Sequence, residues 1–326
     1  MIYLSLLLCL CLSVPGFAAE SKVVSSMIGV GTHVTSYAPG INVAQMLKVL
    51  GVKFVRDEFN WHKAEKVKGK FILDPRIFEY IDKLNGLNIR ALMILCYSNP
   101  NYTKNNIVGP NNAELRKAFS DYVAFMVTSL KGKVYAWEIW NEPDWGTWKP
   151  APNSRDYALL VKHVAPIIRK IDPQALIVAG ALAGADRKFL KGLQEENALA
   201  DVDVISFHWY TYPAPPEQGW GDHEVNLIRS FIKEIKSLGK RAWISEMGYP
   251  TSTDKYGVSE AQQAEYLKKQ LELAANMGAE VCFIYNLIDN GTDAGNKEHR
   301  FGLFRGDGAP KPAVAALAGV NQVPAK

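Results

Sequence analysis

Along the chain, short apolar runs alternate with longer segments whose apolar residues recur at helical spacing. Eight runs read as buried strands: "MIGVGTHV", "KFVRDEF", "IRALMILCY", "VYAWEIWNE", "LIVAGAL", "VDVISFHWY", "RAWISEMGY" and "EVCFIYNL". The helices between them have readable ends. Asp74 followed by Pro75 can cap and start one, with Ile77, Ile81 and Leu84 on its inner face and Gly86 just past its end. Tyr157, Leu160, Val161, Val164, Ile168 and Ile171 keep one apolar stripe until Asp172 and Pro173 stop it. Ser259 to Gln262, "SEAQ", has the form of a capping box, and Met277 with Gly278 closes that helix. The tail "APKPAVAALAGV" reads as a last helix.

Parallel strands need crossover helices, and eight such units close on themselves, so the alternation predicts an α/β fold, a single (β/α)8 TIM barrel. A doubly wound open sheet is the alternative. It would want a Gly-rich phosphate loop after the first strand, and "GVGTHVTSY" lacks the G-x-G-x-x-G spacing. No repeat, low-complexity tract or Pro/Ser linker divides the chain, which gives one catalytic domain over residues 20–326 behind a signal peptide over residues 1–19.

That leader, "MIYLSLLLCLCLSVPGFAAES", is apolar but short for a bilayer span, and it ends in small residues suited to cleavage near Ala18 or Ala19. A secreted or periplasmic protein is expected, with no stable membrane insertion after cleavage. No Lys or Arg precedes the apolar run, which keeps an uncleaved anchor as the alternative. Composition narrows the classes further. With 48% hydrophobic residues among 326, the chain can bury a sizeable core. A net charge of +4, from 37 basic and 33 acidic side chains without a basic run, excludes a nucleic-acid partner. Cys9 and Cys11 leave with the leader, so only Cys96 and Cys282 remain and no disulfide framework follows. His33, His62, His163, His223 and His299 are scattered without ligand spacing, so no metal and no cofactor are expected. A monomer is expected.

In such a barrel, catalytic groups stand at the carboxyl ends of the strands. The fourth strand ends with Asn141 and Glu142, the sixth with His208 and Tyr210, and the seventh with Glu246. Two carboxylates therefore rise into one mouth. Glycoside hydrolysis needs such a pair: one protonated to donate to the leaving oxygen, the other ionised to attack or stabilise the oxocarbenium-like carbon. A separation of about 5–5.5 Å permits direct attack with retention, and about 6.5–9.5 Å leaves room for water and inversion. Glu138, four positions before Glu142 on the same strand, is expected to share its inward phase but to lie deeper in the barrel, paired with an arginine. Arg56 points inward by alternation from Phe54.

"WNEP" on the fourth strand, "ISEMGYP" on the seventh, "FHWY" on the sixth and the arginine of "FVRDEF" together resemble the clan A retaining glycoside hydrolases. The closing "HRFGLFRGDGAPKPAVAAL" is similar to the end of glycoside hydrolase family 39 members and related bacterial exopolysaccharide endoglycosidases. The resemblance covers nearly the whole mature chain. It implies cleavage of β-glycosidic bonds in an oligo- or polysaccharide, with Glu142 as acid/base and Glu246 as nucleophile. It also implies that Asn141 bonds the sugar 2-hydroxyl, Tyr210 holds Glu246, and His208 lines the sugar subsite, while Arg56 favours ionised Glu246. Relatives often carry Trp-Tyr on the eighth strand, whereas this chain has Ile284 and Tyr285, which leaves Tyr285 as the floor under the sugar. Trp145 and Trp148, with Trp209, Trp220, Tyr212 and Tyr249, are loop aromatics suited to stacking on sugar faces. Lys149, Lys297 and Arg300 read as solvated surface. A non-catalytic carbohydrate-binding barrel is the competing reading.

Overall fold

The computed structural model describes residue 24 and residues 26–321 except 106, 220 and 222, so the leader and Trp220 lie outside the described residues. Eight parallel strands close a barrel in sequence order. They are β1 (Ile28–Gly31), β2 (Phe54–Glu58), β3 (Arg90–Leu95), β4 (Ala136–Ile139), β5 (Leu176–Leu182), β6 (Val204–His208), β7 (Arg241–Met247) and β8 (Val281–Ile284). The ring closes where Val30 of β1 pairs with Ile284 of β8. Around it run α1 (Val43–Leu50), α2 (Trp61–Ala64), α3 (Pro75–Gly86), α4 (Ala113–Ser129), α5 (Ser154–Ile171), α6 (Arg187–Glu195), α7 (Glu224–Ser237), α8 (Glu260–Met277) and α9 (Pro312–Asn321). The (β/α)8 expectation holds, and each strand named in the sequence is present, all but β5 in shorter form. No described helix is long and apolar enough to cross a membrane.

The helix ends follow the capping chemistry. Asp74 accepts the amide of Arg76 with Pro75 in the first turn, although α3 takes in Gly86 and is capped by Leu87, one residue later than expected. Ser259 and Gln262 form the reciprocal capping box, and Gly278 closes α8 in the left-handed region at φ +89°. Cys96 and Cys282 are buried, free thiols.

Two cores divide the work. The larger fills the space between helices and strands. The smaller is the barrel's own plug of Phe54, Leu92, Ala136, Val178, Val204, Trp243, Val281 and Phe283. Because strand side chains alternate, the residues two positions further along each strand also point inward, and there the character changes. Phe54 is followed by Arg56, Ala136 by Glu138, and Val204 by Ser206. The apolar plug thus carries a polar layer, and the open mouth lies above that layer.

Candidate active site

Arg56 organises the polar layer. Its Nε donates to Glu138 Oε2 at 2.6 Å, Nη1 to Glu246 Oε1 at 2.6 Å and Nη2 to Asn141 Oδ1 at 2.6 Å. Three directions of one planar guanidinium are therefore engaged, which fixes its plane. Glu138 is fully buried, and its other oxygen accepts from Ser206 Oγ at 2.7 Å. That is the arginine pair expected of it. Burying one carboxylate at this depth is tolerable only because both of its oxygens are bonded and a cation is in contact.

Glu142 and Glu138 do not share a strand phase. Strand β4 ends at Ile139, and Trp140 and Glu142 take left-handed backbone at φ +68° and +50°. This costly backbone for side-chain-bearing residues is held from several sides. Glu142 N donates to Ala181 O at 2.9 Å, and the single Thr147 hydroxyl proton is shared between the carbonyls of Asn141 (2.5 Å) and Glu142 (2.7 Å). Ala181 is available because β5 bulges there, with Gly180 at φ +110°. A Cβ on Gly180 would meet Ser206 O at 2.4 Å, so only glycine fits. Asp144 Oδ1 accepts Ala183 N at 2.9 Å and ties the same loop to the strand beyond, while burial pushes its carboxyl up to about 6.

Glu246 is held differently. Besides Arg56, it accepts from Tyr210 Oη at 2.7 Å, and its backbone carbonyl takes Trp209 N at 2.8 Å. Burial alone would raise its pKa. The His208 and Arg56 charges, with the Tyr210 and Arg56 hydrogen bonds, outweigh it and hold Glu246 below the ordinary carboxylate value. His208 sits between the two acids, Nδ1 lying 3.0 Å from Glu142 Oε1 and 3.6 Å from Glu246 Oε2. Burial works against its charged form, but Glu246 and Glu142 raise its pKa overall. The side chains of Glu142 and Glu246 keep 23% and 15% of their exposure, so both still reach solvent in the cleft.

The cleft has a volume of about 1160 Å³ and is lined by Arg56, Asn141, Glu142, His208, Tyr210, Glu246, Tyr285 and Trp145 among others. Eight of the expected site residues thus meet there. Trp145 is 66% exposed on the rim. Trp148 is the correction. It is 1% exposed, edge-on to Trp140 and Tyr157 and over Gly109, where a Cβ would meet its ring at 2.1 Å. It supports the Glu142 loop from behind and does not face the cleft. Tyr249 is likewise internal, bonded to the Thr211 hydroxyl, whereas Trp209 and Tyr212 reach the lining. Lys297 is not simple surface either. Its Nζ donates to Tyr212 Oη at 2.6 Å and lies over the Tyr256 ring, on the cleft wall.

Sequence reading missed Tyr97, whose hydroxyl accepts from Asn141 Nδ2 at 3.0 Å. It ends the third apolar run, so the strand-end rule applied there would have found it. It also missed Phe301, which packs edge-on against Tyr210, Tyr212 and Tyr285. Phe301 is anchored by buried Lys311, which donates to Asp289 Oδ1 (2.8 Å), Thr251 Oγ1 (2.9 Å) and Arg300 O (3.2 Å). On the β1 and β2 side, His33 and Glu58 line the cleft 3.2 Å apart.

Two clusters bring three ligand-type atoms within 4.8 Å of one another: Glu142, His208 and Glu246, and His33, Asp57 and Glu58. Protein donors account for the carboxylates in both. Arg56 and Tyr210 serve Glu246, while Asp57 Oδ2 accepts from Thr32 Oγ1 at 2.7 Å and from Val34 N at 3.1 Å.

A closed barrel with a carboxylate pair at its open mouth is the architecture of clan A glycosidases, related to the family 39 and family 5 types. The cellulase family (glycosyl hydrolase family 5) matches over residues 18–291, and the chain belongs to it. No individual curated protein matches the chain. Among solved structures, a family 39 glycoside hydrolase from the gut symbiont Bacteroides cellulosilyticus WH2 is similar at 23% identity and TM-score 0.78, over 92% of this chain and 64% of that one. A monomeric β-xylosidase from Caulobacter crescentus CB15 aligns at 19% identity and TM-score 0.70, over 91% and 68%. Xylanase 10B from Thermotoga petrophila RKU-1 aligns at 17% identity and TM-score 0.68, over 92% and 95%. The chain spans 64% of the first of these, and likenesses at such identity concern the fold. The matched family is thus the family 5 type, and the family 39 resemblance extends to architecture.

Proposed function

We propose that the protein is a retaining glycoside hydrolase that cleaves β-linked oligo- or polysaccharides by double displacement. The observation that carries this reading is the carboxylate pair: oxygens of Glu142 and Glu246 lie within 4.8 Å of each other across the cleft. That approach suits the short separation of direct attack, about 5–5.5 Å between carboxyl groups, better than the water-filled gap of inversion. The unequal environments support the roles. Glu246, kept ionised by His208 and Arg56, attacks the anomeric carbon as the glycosidic C–O bond breaks, and Glu142 gives its proton to the departing oxygen. Water then attacks the glycosyl ester, losing a proton to Glu142 and releasing Glu246 as carboxylate. Asn141, clamped by Arg56 and Tyr97, is oriented for the 2-hydroxyl. Tyr285 forms the floor and Trp145 a stacking face at the rim. The matched cellulase family and the xylan-acting neighbours support a β-linked substrate. The apolar leader supports a secreted or periplasmic site of action.

The test is a β-glycan panel followed by NMR of the first-formed anomers. β-Configured products agree with the mechanism, and α-configured products overturn the nucleophile assignment. Replacing Glu142 with alanine should spare substrates with activated leaving groups far more than natural glycans. Azide should restore turnover as a β-glycosyl azide, whereas an inert Glu142→Ala protein on both substrate types would contradict the acid/base role.

A further inference from the structure

The cleft differs between its two flanks. Past the ends of β8 and β1 to β3 its lining is polar, with Tyr285, His33, Glu58 and Tyr97. Past β4 and β5 the same lining is apolar: Trp145, Ala183, Gly184 and Ala185, joined by Leu227 from the first turn of α7. Trp145 is 66% and Leu227 44% exposed, so two large apolar side chains stand uncovered in one concave wall.

Two ties bring them to the same trough. Asp144, which precedes Trp145, accepts Ala183 N at 2.9 Å. Leu227, Ser230 and Glu234 share a helix face, on which Ser230 Oγ accepts from Arg187 Nη2 at 2.7 Å and Glu234 pairs with Arg187 Nε at 3.3 Å. Arg187 opens α6 directly after residues 183–186, so Trp145 and Leu227 flank that segment. Gly184 leaves its floor open, because a Cβ there would meet nothing within 4 Å.

A general acid must reach the oxygen that it protonates, so the leaving group lies on the Glu142 side. Glu142 N is bonded to Ala181 O, on the strand that leads into the trough, whereas Glu246 is bonded to Arg56 of β2. The cleft volume of about 1160 Å³ exceeds the roughly 300–1,000 Å³ of pockets that hold a drug-sized molecule, so one sugar ring does not fill it.

We infer that Trp145, Gly184 and Leu227 form the subsite of the leaving sugar, and that its occupant is a pyranose with equatorial substituents, such as glucose or xylose. Such a ring presents only C–H bonds on its faces and carries its hydroxyls at the edge. The faces match the indole and the leucine methyls, and the edge meets His223 and Glu224, one turn before Leu227 on the cleft lining. An axial hydroxyl would press on apolar surface without a partner. The inference rests on the glycosidase reading for which sugar leaves, but occupancy of the trough is measurable without turnover.

The test uses the full chain with methyl-labelled leucine and nitrogen-labelled tryptophan, titrated with cellobiose, xylobiose, mannobiose, glucitol and benzyl alcohol. The Leu227 methyl and Trp145 indole signals should shift saturably with cellobiose or xylobiose, and with severalfold lower affinity for mannobiose, whose second hydroxyl is axial. Trp145→Ala should weaken the binding about three- to tenfold, and Trp145→Phe should restore part of it. Gly184 lies outside the left-handed region, so Gly184→Phe should fill the trough, keep the fold and remove the sugar-dependent shifts. It should also lower kcat/KM about tenfold more for a disaccharide than for the β-fluoride of the same sugar, whose leaving group is a single atom. No saturable shift, shifts that survive Gly184→Phe, equal affinity for mannobiose, or equal shifts with glucitol or benzyl alcohol would each overturn the inference. The expected shifts without hydrolysis of any glycan or glycosyl fluoride would sink the glycosidase reading alone. Hydrolysis of both, in a ratio that Gly184→Phe leaves unmoved, would sink the subsite alone.

Discussion

Glu246 lies near the end of β7, where the pairing with β6 and β8 shifts register, and is gripped by its side chain, with Arg56, Tyr210 and His208 all contacting or facing its two oxygens. Glu142 leaves a left-handed corner and is gripped by its backbone, through Ala181 and Thr147, while its carboxylate touches only His208 among the described bonds. One acid is electrostatically committed and the other is positionally committed. That is the division a nucleophile and an acid/base require: the first must stay ionised, whereas the second must change protonation state twice per cycle without losing its place.

The comparison can be broken most sharply at Glu246. Glu246→Gln should lower kcat on order of 10⁴-fold or more on every substrate, while glycan affinity, followed by titration calorimetry, persists. Glu142→Gln should cost about 10²–10⁴-fold on natural glycans, and less as the leaving group improves. Equal losses on both substrate types would dissolve the distinction between the two corners. Arg56→Met comes next. It leaves Glu138 buried without its cation and frees Glu246, so stability should fall by about 3–5 kcal/mol in denaturant titration. A variant of unchanged stability would show that the polar layer does not depend on that guanidinium.

The pH dependence sharpens the same contrast. Because the folded pKa of Glu246 lies below its ordinary value, its contribution to stability is present above the ordinary carboxylate pKa and is lost as pH falls through the depressed one. His208 has the opposite sign. Its raised pKa contributes stability below the ordinary histidine value, lost as pH rises through the folded one. Tyr210→Phe removes one donor from Glu246, so the acid limb of kcat/KM should move to higher pH with the basic limb little changed. An unmoved acid limb would deny that Glu246 sets it. The smallest effect is expected at Thr147→Val, which removes the one hydroxyl donor shared by the two carbonyls of the Glu142 corner. About 1–2 kcal/mol of transition-state stabilisation should be lost, read as a drop in kcat with KM nearly constant.

Much of this was legible because periodicity and strand-end position are local properties. The barrel, the Glu142 and Glu246 pair, the inward Arg56 and the burial of Glu138 all follow from counting along single runs. What was illegible depends on where a chain turns after its strand. Trp148 looked like a loop aromatic, but the corner at Trp140 folds its loop back so that the ring fills the space over Gly109. Lys297 looked solvated because nothing near it in sequence reveals Tyr212, which arrives from another loop. The β5 bulge that offers Ala181 O to Glu142 left only one trace, the glycine inside "LIVAGAL".

The family match stops at residue 291, yet the aromatic backing of Tyr210 and Tyr285 arrives later, on Phe301, pinned through Lys311. A fragment trimmed to the matched boundary would complete the strand ring but strip one side of the cleft and strand the Asp289 carboxylate without its ammonium. Grafting or truncation schemes for this barrel should therefore treat the stretch through α9 as part of the cleft wall, not as a dispensable tail.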